Sequence, residues 1–380
     1  MRDAVIVDAV RTPVGRRNGA YKDVHPVDLS AHVLNTLVER TGIDPTVVDD
    51  VVWGCVGQVG EQTMNIGRNA VLSAGWPESI PGTTVDRQCG SSQQAVHFAA
   101  AGVISGQYDV AIAGGVESMT RVPMGSSLGA NVGFPFGPKM LARYEGKQIN
   151  QGLGAEMIAE RWGFSRQQVD EFSLESHEKA AAAIDSGAFA KQYAVLPESG
   201  LEVDEGVRRE TTLEKLGGLK PAFKEDGVIT AGNSSQISDG SGALLIMTSE
   251  KAASLGLKPL ARLHTFALAG DDPVIMLTAP WPATLKALKK AGLRIDEIGA
   301  FEVNEAFAPV PMAWLVETGA DAKAVNPLGG AIAIGHPLGG SGAILMTRLV
   351  HHMADNGIRY GLQTMCEGGG LANATILERL

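Results

Sequence analysis

Residues 83–115 read TTVDRQCGSSQQAVHFAAAGVISGQYDVAIAGG. Thr83 to Asp86 has the character of a short strand. A helix is predicted from about Cys89 to Ser105, because Ala95, Val96, Ala99 and Val103 recur at helical spacing. Asp109 to Ala113 reads as a second strand ending at Gly114 and Gly115. The C-terminal part carries the same plan. Gly339 to Met353 is a predicted helix with Ile344, Leu345, Leu349 and Val350 on its apolar side. Tyr360 to Cys366 is a strand that ends at Gly368, Gly369 and Gly370. A glycine-marked helix start, a long helix, a strand and a glycine cluster thus occur twice, the pattern of a diverged internal duplication. Two such α/β units predict five-layered α-β-α-β-α packing, with these two helices buried between two sheets.

Further elements extend the plan. Ala4 to Val10 is an apolar, β-branched run ending at Arg11-Thr12-Pro13, hence a buried strand. Val27 to Glu39 has helical spacing and Val51 to Val56 reads as a strand. Leu244 to Met247 and Ala300 to Val303 read as strands of the second half. Between Met119 and Ser241 the composition changes. Met124 to Gly154 is rich in Gly, Pro and polar residues, with few helix or strand signals. Phe164 to Ala188 is helical, with Ser165 as N-cap and Gln168 three residues on. Gly200 to Pro221 is charged and loop-like. The expected division is an N-terminal half (1–118), an inserted loop domain (119–241) and a C-terminal half (242–380). Long loops on a rigid core usually carry ligand contacts.

The composition narrows the function. Many glycines (47) and few aromatics (5%) suit an α/β protein with tight turns. A net charge of −10 speaks against nucleic acid, so an anionic ligand must be held by local groups. Cys55, Cys89 and Cys366 lack metal-ligand spacing and cannot all pair, which suits a reducing compartment and no metal. No stretch reads as a signal peptide or a bilayer span. A soluble cytoplasmic enzyme is expected.

Two thiols and an imidazole beside glycines can perform nucleophilic acyl transfer with a second acid/base. Cys89 lies at a strand-to-helix turn, where unpaired N–H groups and the helix dipole favour thiolate. His336, in Gly335-His336-Pro337, can take a proton and later support an oxyanion. Cys366 ends a strand before three glycines whose N–H groups can form an oxyanion hole. Asn304 can orient a water, and Glu305 can support its loop. A lone Cys or His of this set reads more readily as an inert core Cys or a capping or core His, and Asn304 alone reads also as an N-cap.

Four blocks, in order, resemble the signature blocks of the thiolases: Gln88-Cys89-Gly90-Ser91-Ser92, Asn304-Glu305-Ala306-Phe307, Gly335-His336-Pro337 and Cys366-Glu367-Gly368-Gly369-Gly370. Arg11-Thr12-Pro13, Gly114 to Met119 and Thr230 to Asn233 agree. The resemblance spans the whole chain and implies the thiolase fold. It implies that His336 deprotonates Cys89, which attacks the 3-keto carbon of a 3-ketoacyl-CoA. Cys366 would protonate the departing enolate and later deprotonate the incoming thiol of coenzyme A, the co-substrate. Oxyanion holes would be His336 with a water on Asn304, and the N–H groups of Cys89 and Gly368. Ser235, Arg208, Phe223, Ala231, Met276 and Phe307 would contact coenzyme A or the acyl chain. A homodimer or homotetramer, with no nucleic-acid or membrane partner, is implied.

The chain departs from the short-chain thiolases where a His-Met pair precedes Gly-x-x-Ala-Glu. Here Asn150-Gln151 stands before Gly152 to Glu156, and Met276 to Pro282 also differs. Ser234 to Gly240 and Arg359 to Glu367 are similar to actinobacterial thiolases of steroid catabolism. A degradative role on a bulky or steroid-derived 3-ketoacyl-CoA is therefore expected. The alternatives are biosynthesis of acetoacetyl-CoA and a non-catalytic acyl-CoA-binding scaffold.

Overall fold

The first strand, VIVDAVR, is buried along its whole length, as a strand covered on both faces must be. In the computed structural model, which describes residues 2–128, 133–147 and 149–380, the chain runs β1 (Val5–Arg11), β2 (Gly15–Arg16), α1 (Pro26–Thr41), β3 (Asp50–Gly54), α2 (Ile66–Ser73), β4 (Gly82–Val85), α3 (Ser91–Ser105) and β5 (Val110–Ser118). A stretch that adds no strand to the main sheet follows, with α4 (Pro138–Arg143), α5 (Gln151–Trp162), α6 (Arg166–Asp185) and α7 (Leu213–Gly217). The chain returns as β6 (Ser238–Met247), α8 (Ser249–Ser254), β7 (Ala261–Gly270), α9 (Pro280–Ala291) and β8 (Ala300–Val303). It closes with α10 (Pro309–Thr318), α11 (Ala331–Ile334), α12 (Leu338–Asn356), β9 (Tyr360–Glu367) and β10 (Leu371–Arg379).

The strand order β4-β3-β5-β6-β1-β7-β10-β9-β8 contains the duplication. From the centre outward, β1–β6 and β6–β5 are antiparallel and β5–β3 is parallel. On the other side β7–β10 and β10–β9 are antiparallel and β9–β8 is parallel. A parallel bridge between Phe301 and Val325 stands where the N-terminal half has β4. Two details differ from expectation. The halves are joined edge to edge, through Val5↔Arg262 and Ile6↔Ala261, into one ten-stranded sheet. Leu244 to Met247, expected in the second half, belongs to β6 and pairs with β1 and β5.

The layers follow from strand alternation. Val5, Val51 and Ile112 face α1 and α2, packing on Leu34, Leu37 and Val71. Ile6, Ala111 and Leu244 face inward onto α3 and α12, where Ala95, Ala99, Met346 and Val350 meet Leu263, Ala300 and Leu377 of the other half. Phe301, Leu362 and Ile376 pack outward on α9 and α10 through Ala283, Leu288 and Trp314. The two central helices nearly touch: a Cβ at Gly342 would lie 2.3 Å from Gln93 N. Gln93 also reaches the other half, accepting from Gln363 Nε2 (3.0 Å) and donating to Thr375 Oγ1 (2.8 Å).

In the intervening stretch, Ser165 and Gln168 form the expected capping box of α6. Met124 to Gly154 holds more helix than its composition suggests. α4 lies there and α5 begins there, capped by Asn150, which accepts from Gly152 N and Leu153 N. Glycine weakens the helical signal of α5, yet packing requires it. A Cβ at Gly152 would strike Phe223 and one at Gly154 would strike Ile275 O. Parts of this stretch, 129–132 and 148, lie outside the described residues.

Candidate active site

Cys89 sits in a tight turn between β4 and α3. Gln88 adopts a left-handed conformation (φ 48°), which costs strain in a non-glycine residue. The turn is stabilised by Ser91 Oγ, which donates to Gln88 O (2.6 Å) and accepts from Arg87 N (2.9 Å). The nucleophile candidate therefore lies one residue before Gly90, the N-cap of α3. Its side chain packs with Leu338, Leu345 and Met365.

The helix start favours thiolate, and burial opposes it. Burial pushes the Cys89 thiol up to about 12, and the Glu367 carboxylate adds to the rise. The N–H groups of Cys89 and Gly368 pull the other way without prevailing. A helix start offers about 1 kcal/mol. Burying an anion can cost about 3–5 pKa units, or roughly 4–7 kcal/mol. Cys89 is thus a neutral thiol that needs a base.

His336 is the candidate for that base. Gly335, before it, has φ 102°, and a Cβ there would meet Ser238 Oγ at 2.4 Å, so only glycine suits the turn. The backbone N–H of His336 points at Ser238 Oγ (2.7 Å) and Gln236 O (3.1 Å). Ser341 Oγ lies 2.6 Å from His336 Nδ1 and donates its own proton to Pro337 O (2.9 Å). The hydroxyl can then only accept from Nδ1–H, which leaves Nε2 as the unprotonated nitrogen. Burial alone lowers the His336 pKa to about 4, so the ring is neutral and competent to accept.

Asn304 connects the imidazole to the second thiol. It follows β8, its N–H donating to Thr364 O (3.1 Å). Its Nδ2 lies 3.4 Å from His336 Nε2, and its side chain favours the charged form of the Cys366 thiol. Its Oδ1 is buried without a partner among the described residues. Cys366, in the β9–β10 hairpin, is buried, and burial followed by the charge of nearby Cys89 drives its pKa upward. The hairpin loop is Gly368-Gly369-Gly370, closed by the pair Leu371↔Glu367. Cys89, Cys366, Asn304, His336 and Gly368 are thereby brought to one place. Glu305 points away, accepting from Ser176 Oγ (2.6 Å), Asn326 Nδ2 (2.9 Å) and Ile332 N (3.2 Å). It braces the loop that leads to His336.

Two family models cover this architecture: "Thiolase, N-terminal domain" matches residues 4–250 and "Thiolase, C-terminal domain" residues 257–379. The chain belongs to the thiolase family. It is similar to the steroid 3-ketoacyl-CoA thiolase FadA6 of Mycobacterium tuberculosis, at 51% identity over 100% of this chain and 95% of that one. It is 44% identical to the 3-ketoacyl-CoA thiolase of Pseudoalteromonas translucida, with both chains fully covered. The crystal structure of the Bacillus anthracis acetyl-CoA acetyltransferase superposes with a TM-score of 0.90 at 37% identity, covering 100% of this chain and 99% of that one. The protein is accordingly a thiolase-type acyltransferase that acts on acyl-CoA thioesters.

The remaining sequence candidates fall in two connected places. Arg208, Ala231 and Ser235 line an open cleft of about 640 Å³ in the thiolase, together with Arg16, Arg17, Glu205 and Gln236. Met276 and Phe307 share an apolar cluster with Cys366. Phe223 is 39% exposed and packs edge-on against Phe307. The two places meet where Ser235 N donates to Ala306 O (2.9 Å) and Ser234 bridges Phe307. A second cleft of about 490 Å³ is lined by Arg143, Lys147 and residues 270–274, among others. It borders the glycine loop, since Asp271 N donates to Gly370 O (2.7 Å).

Sequence reasoning missed Ser341, Gln236 and Glu367. Ser341 lies one helical turn beyond Pro337, a spacing that could have flagged it. Gln236 Nε2 donates to Gly206 O, Ile332 O and Ala333 O (2.9, 2.9 and 3.0 Å). It ties the cleft to the His336 loop, and no sequence pattern announces that. Among the described residues no group of His, Cys, Asp and Glu is arranged to hold a metal, and no helix is long and apolar enough to cross a membrane.

Proposed function

We propose that this thiolase cleaves a bulky 3-ketoacyl-CoA in the degradative direction, with Cys89 as nucleophile, His336 as its base and Cys366 as the second acid/base. The observation that carries the assignment is His336 held between Ser341 at Nδ1 and Asn304 at Nε2, with Cys366 under the influence of both Asn304 and Cys89. His336 Nε2 takes the Cys89 proton as the sulfur attacks the 3-keto carbon. Rupture of the C2–C3 bond leaves the acyl group on Cys89, and Cys366 protonates the carbon of the leaving enolate. Cys366 then removes the proton from the thiol of coenzyme A, which takes the acyl group, and the Cys89 thiolate released recovers its proton from His336.

Negative charge develops on two different oxygens, so two donor sets are required. His336 with a water on Asn304 serves the thioester enolate. The N–H groups of Cys89 and Gly368 serve the tetrahedral oxygen. Both N–H groups already act on the Cys89 sulfur, which supports this division. The cleft of Arg208, Ala231 and Ser235, within the loop domain 119–241, suits the coenzyme A moiety. Phe223, Met276 and Phe307 suit the pantetheine and acyl channel.

A bulky acyl chain is supported by three points. FadA6, a steroid thiolase, is a relative at 51% identity. Asn150, where short-chain thiolases place part of their acyl-pocket pair, serves as a helix cap. The second cleft offers room beside the glycine loop that follows Cys366. Assembly as a homodimer or homotetramer is part of the proposal.

The test is CoA-dependent cleavage of acetoacetyl-CoA and of a polycyclic 3-ketoacyl-CoA by wild type and Cys89→Ala. A higher kcat/KM for the polycyclic substrate, with no turnover by the variant, is expected. Comparable values for the two substrates would remove the bulky-chain assignment and favour acetoacetyl-CoA synthesis. Absence of cleavage of either by folded wild type would remove the mechanism.

A further inference from the structure

Three arginines face the large cleft, and the assignment above uses one of them. Arg16 ends β2, which pairs with the start of β6 through Gly15↔Asp239 and Arg16↔Ser238. Arg17 continues that register, its N–H donating to Ile237 O (3.2 Å). Main-chain bonds thus fix both arginines beside the segment that carries Ala231 and Ser235. Arg208 shares the same cleft, anchored by its own N–H to His177 Nδ1 (3.1 Å). The side chains differ in commitment. Arg16 Nε donates to Glu205 Oε1 (2.9 Å), just as Arg121 pairs with Glu61 and Arg209 with Asp185 elsewhere. Arg17 and Arg208 have no such carboxylate among the described residues. The cleft wall carries three arginines against one glutamate, on a chain whose net charge is −10. A cationic wall on an acidic protein is a local anion site. Guanidinium groups suit phosphate because they offer paired donors in one plane.

We propose that Arg17, together with Arg208 and backed by Arg16, binds a phosphate group of the coenzyme A moiety, so that the N-terminal half holds the nucleotide end of a ligand otherwise carried by the loop domain. The proposal rests on the reading that coenzyme A occupies this cleft. Arg17 reaches no reacting atom, so its contribution lies in binding and is screened by salt.

The experiment compares wild type, Arg17→Ala and Arg17→Lys on two substrate pairs: acetoacetyl-CoA with CoA, and acetoacetyl-pantetheine with pantetheine, which lacks phosphates. For the CoA pair, Arg17→Ala is expected to raise KM about fivefold to tenfold with kcat within about twofold, as loss of an exposed charge-assisted contact would. The loss should shrink at high salt and be partly restored in Arg17→Lys. For the pantetheine pair, Arg17→Ala and wild type should agree. An unchanged KM for CoA, or an equal loss on both pairs, would overturn the proposal, the latter by showing a structural role. Inactive wild type would instead remove the assignment of the catalytic site. Calorimetric binding of CoA and of pantetheine would still read the phosphate contact in that case.

Discussion

The two halves of the sheet place their chemistry by different means. In the N-terminal half Cys89 is positioned by its own local turn: a left-handed Gln88, the neighbouring Ser91 hydroxyl and an uncapped helix start. In the C-terminal half His336 is positioned by side chains, Ser238, Gln236 and, through its loop, Glu305 from distant elements and Ser341 from the helix that follows. The carboxylates that end the equivalent strands β5 and β9 differ as sharply. Glu117 accepts from Val56 N, Gly57 N, Gly339 N and Gln62 Nε2. Glu367 has neither oxygen partnered among the described residues, and burial raises it to about 8. Duplication supplied one scaffold twice. One copy presents the reacting sulfur rigidly, and the other tunes a base by a network whose members can be removed one at a time.

That contrast sets an order of expected effects. Cys89→Ala should lower kcat by at least about 10⁴-fold, because covalent catalysis has no substitute group. Residual activity above that level in steady-state thiolysis would mean that another group carries the acyl chain. Ser341→Ala should be milder, about tenfold to a hundredfold in kcat/KM, because the imidazole keeps its place but loses the bond that selects the Nε2 lone pair. Its pH profile should shift with it; a loss that is the same at every pH would indicate only packing.

The pH dependence sharpens the same point. The proposed base, His336, would act when neutral, and burial holds its pKa at about 4. The acid limb of kcat/KM should therefore fall near pH 4. A limb centred near the ordinary histidine value of about 6.5 would show a solvated ring. Stability carries the same sign. An unfolded histidine binds its proton below about pH 6.5, whereas folded His336 stays neutral to about 4, so stability is full above the first value and lost as pH falls toward the second. His177, lowered to about 4, and His97, to about 3, add to that loss. Chemical denaturation between pH 7 and pH 4 would measure it. The smallest effect expected is that of Glu367→Gln. Removing this charge should shift the pH profile of Cys89 alkylation downward, since the carboxylate helps hold the thiol up. An upward or absent shift would show that Glu367 does not act on the sulfur.

Much of this was legible in the chain because glycine and cysteine mark turns whose geometry few residues permit. The helix after Cys89, the helix after His336 and the strand ending at Cys366 all appear in the periodicity of residues 83–115 and 339–370. β7 and β10 gave no comparable mark. Helix α5 was hidden because Gly152 and Gly154 answer to Phe223 and Ile275, partners distant in sequence. The join of the halves rests on two register pairs between β1 and β7, which no local pattern encodes. Within the site, residue types announced the thiols and the imidazole. The ionisation of Cys89 did not follow from its place at a helix start, because burial and Glu367 are tertiary facts that outweigh the dipole.

The most direct test of the account is to find where the acyl group rests. Wild-type protein would be mixed with a 3-ketoacyl-CoA in the absence of free CoA, quenched in acid, digested and analysed by mass spectrometry. One acyl group on the peptide containing Cys89, discharged when CoA is added before the quench, is the predicted result. An acyl group on Cys366, or none on either thiol while cleavage proceeds, would contradict it.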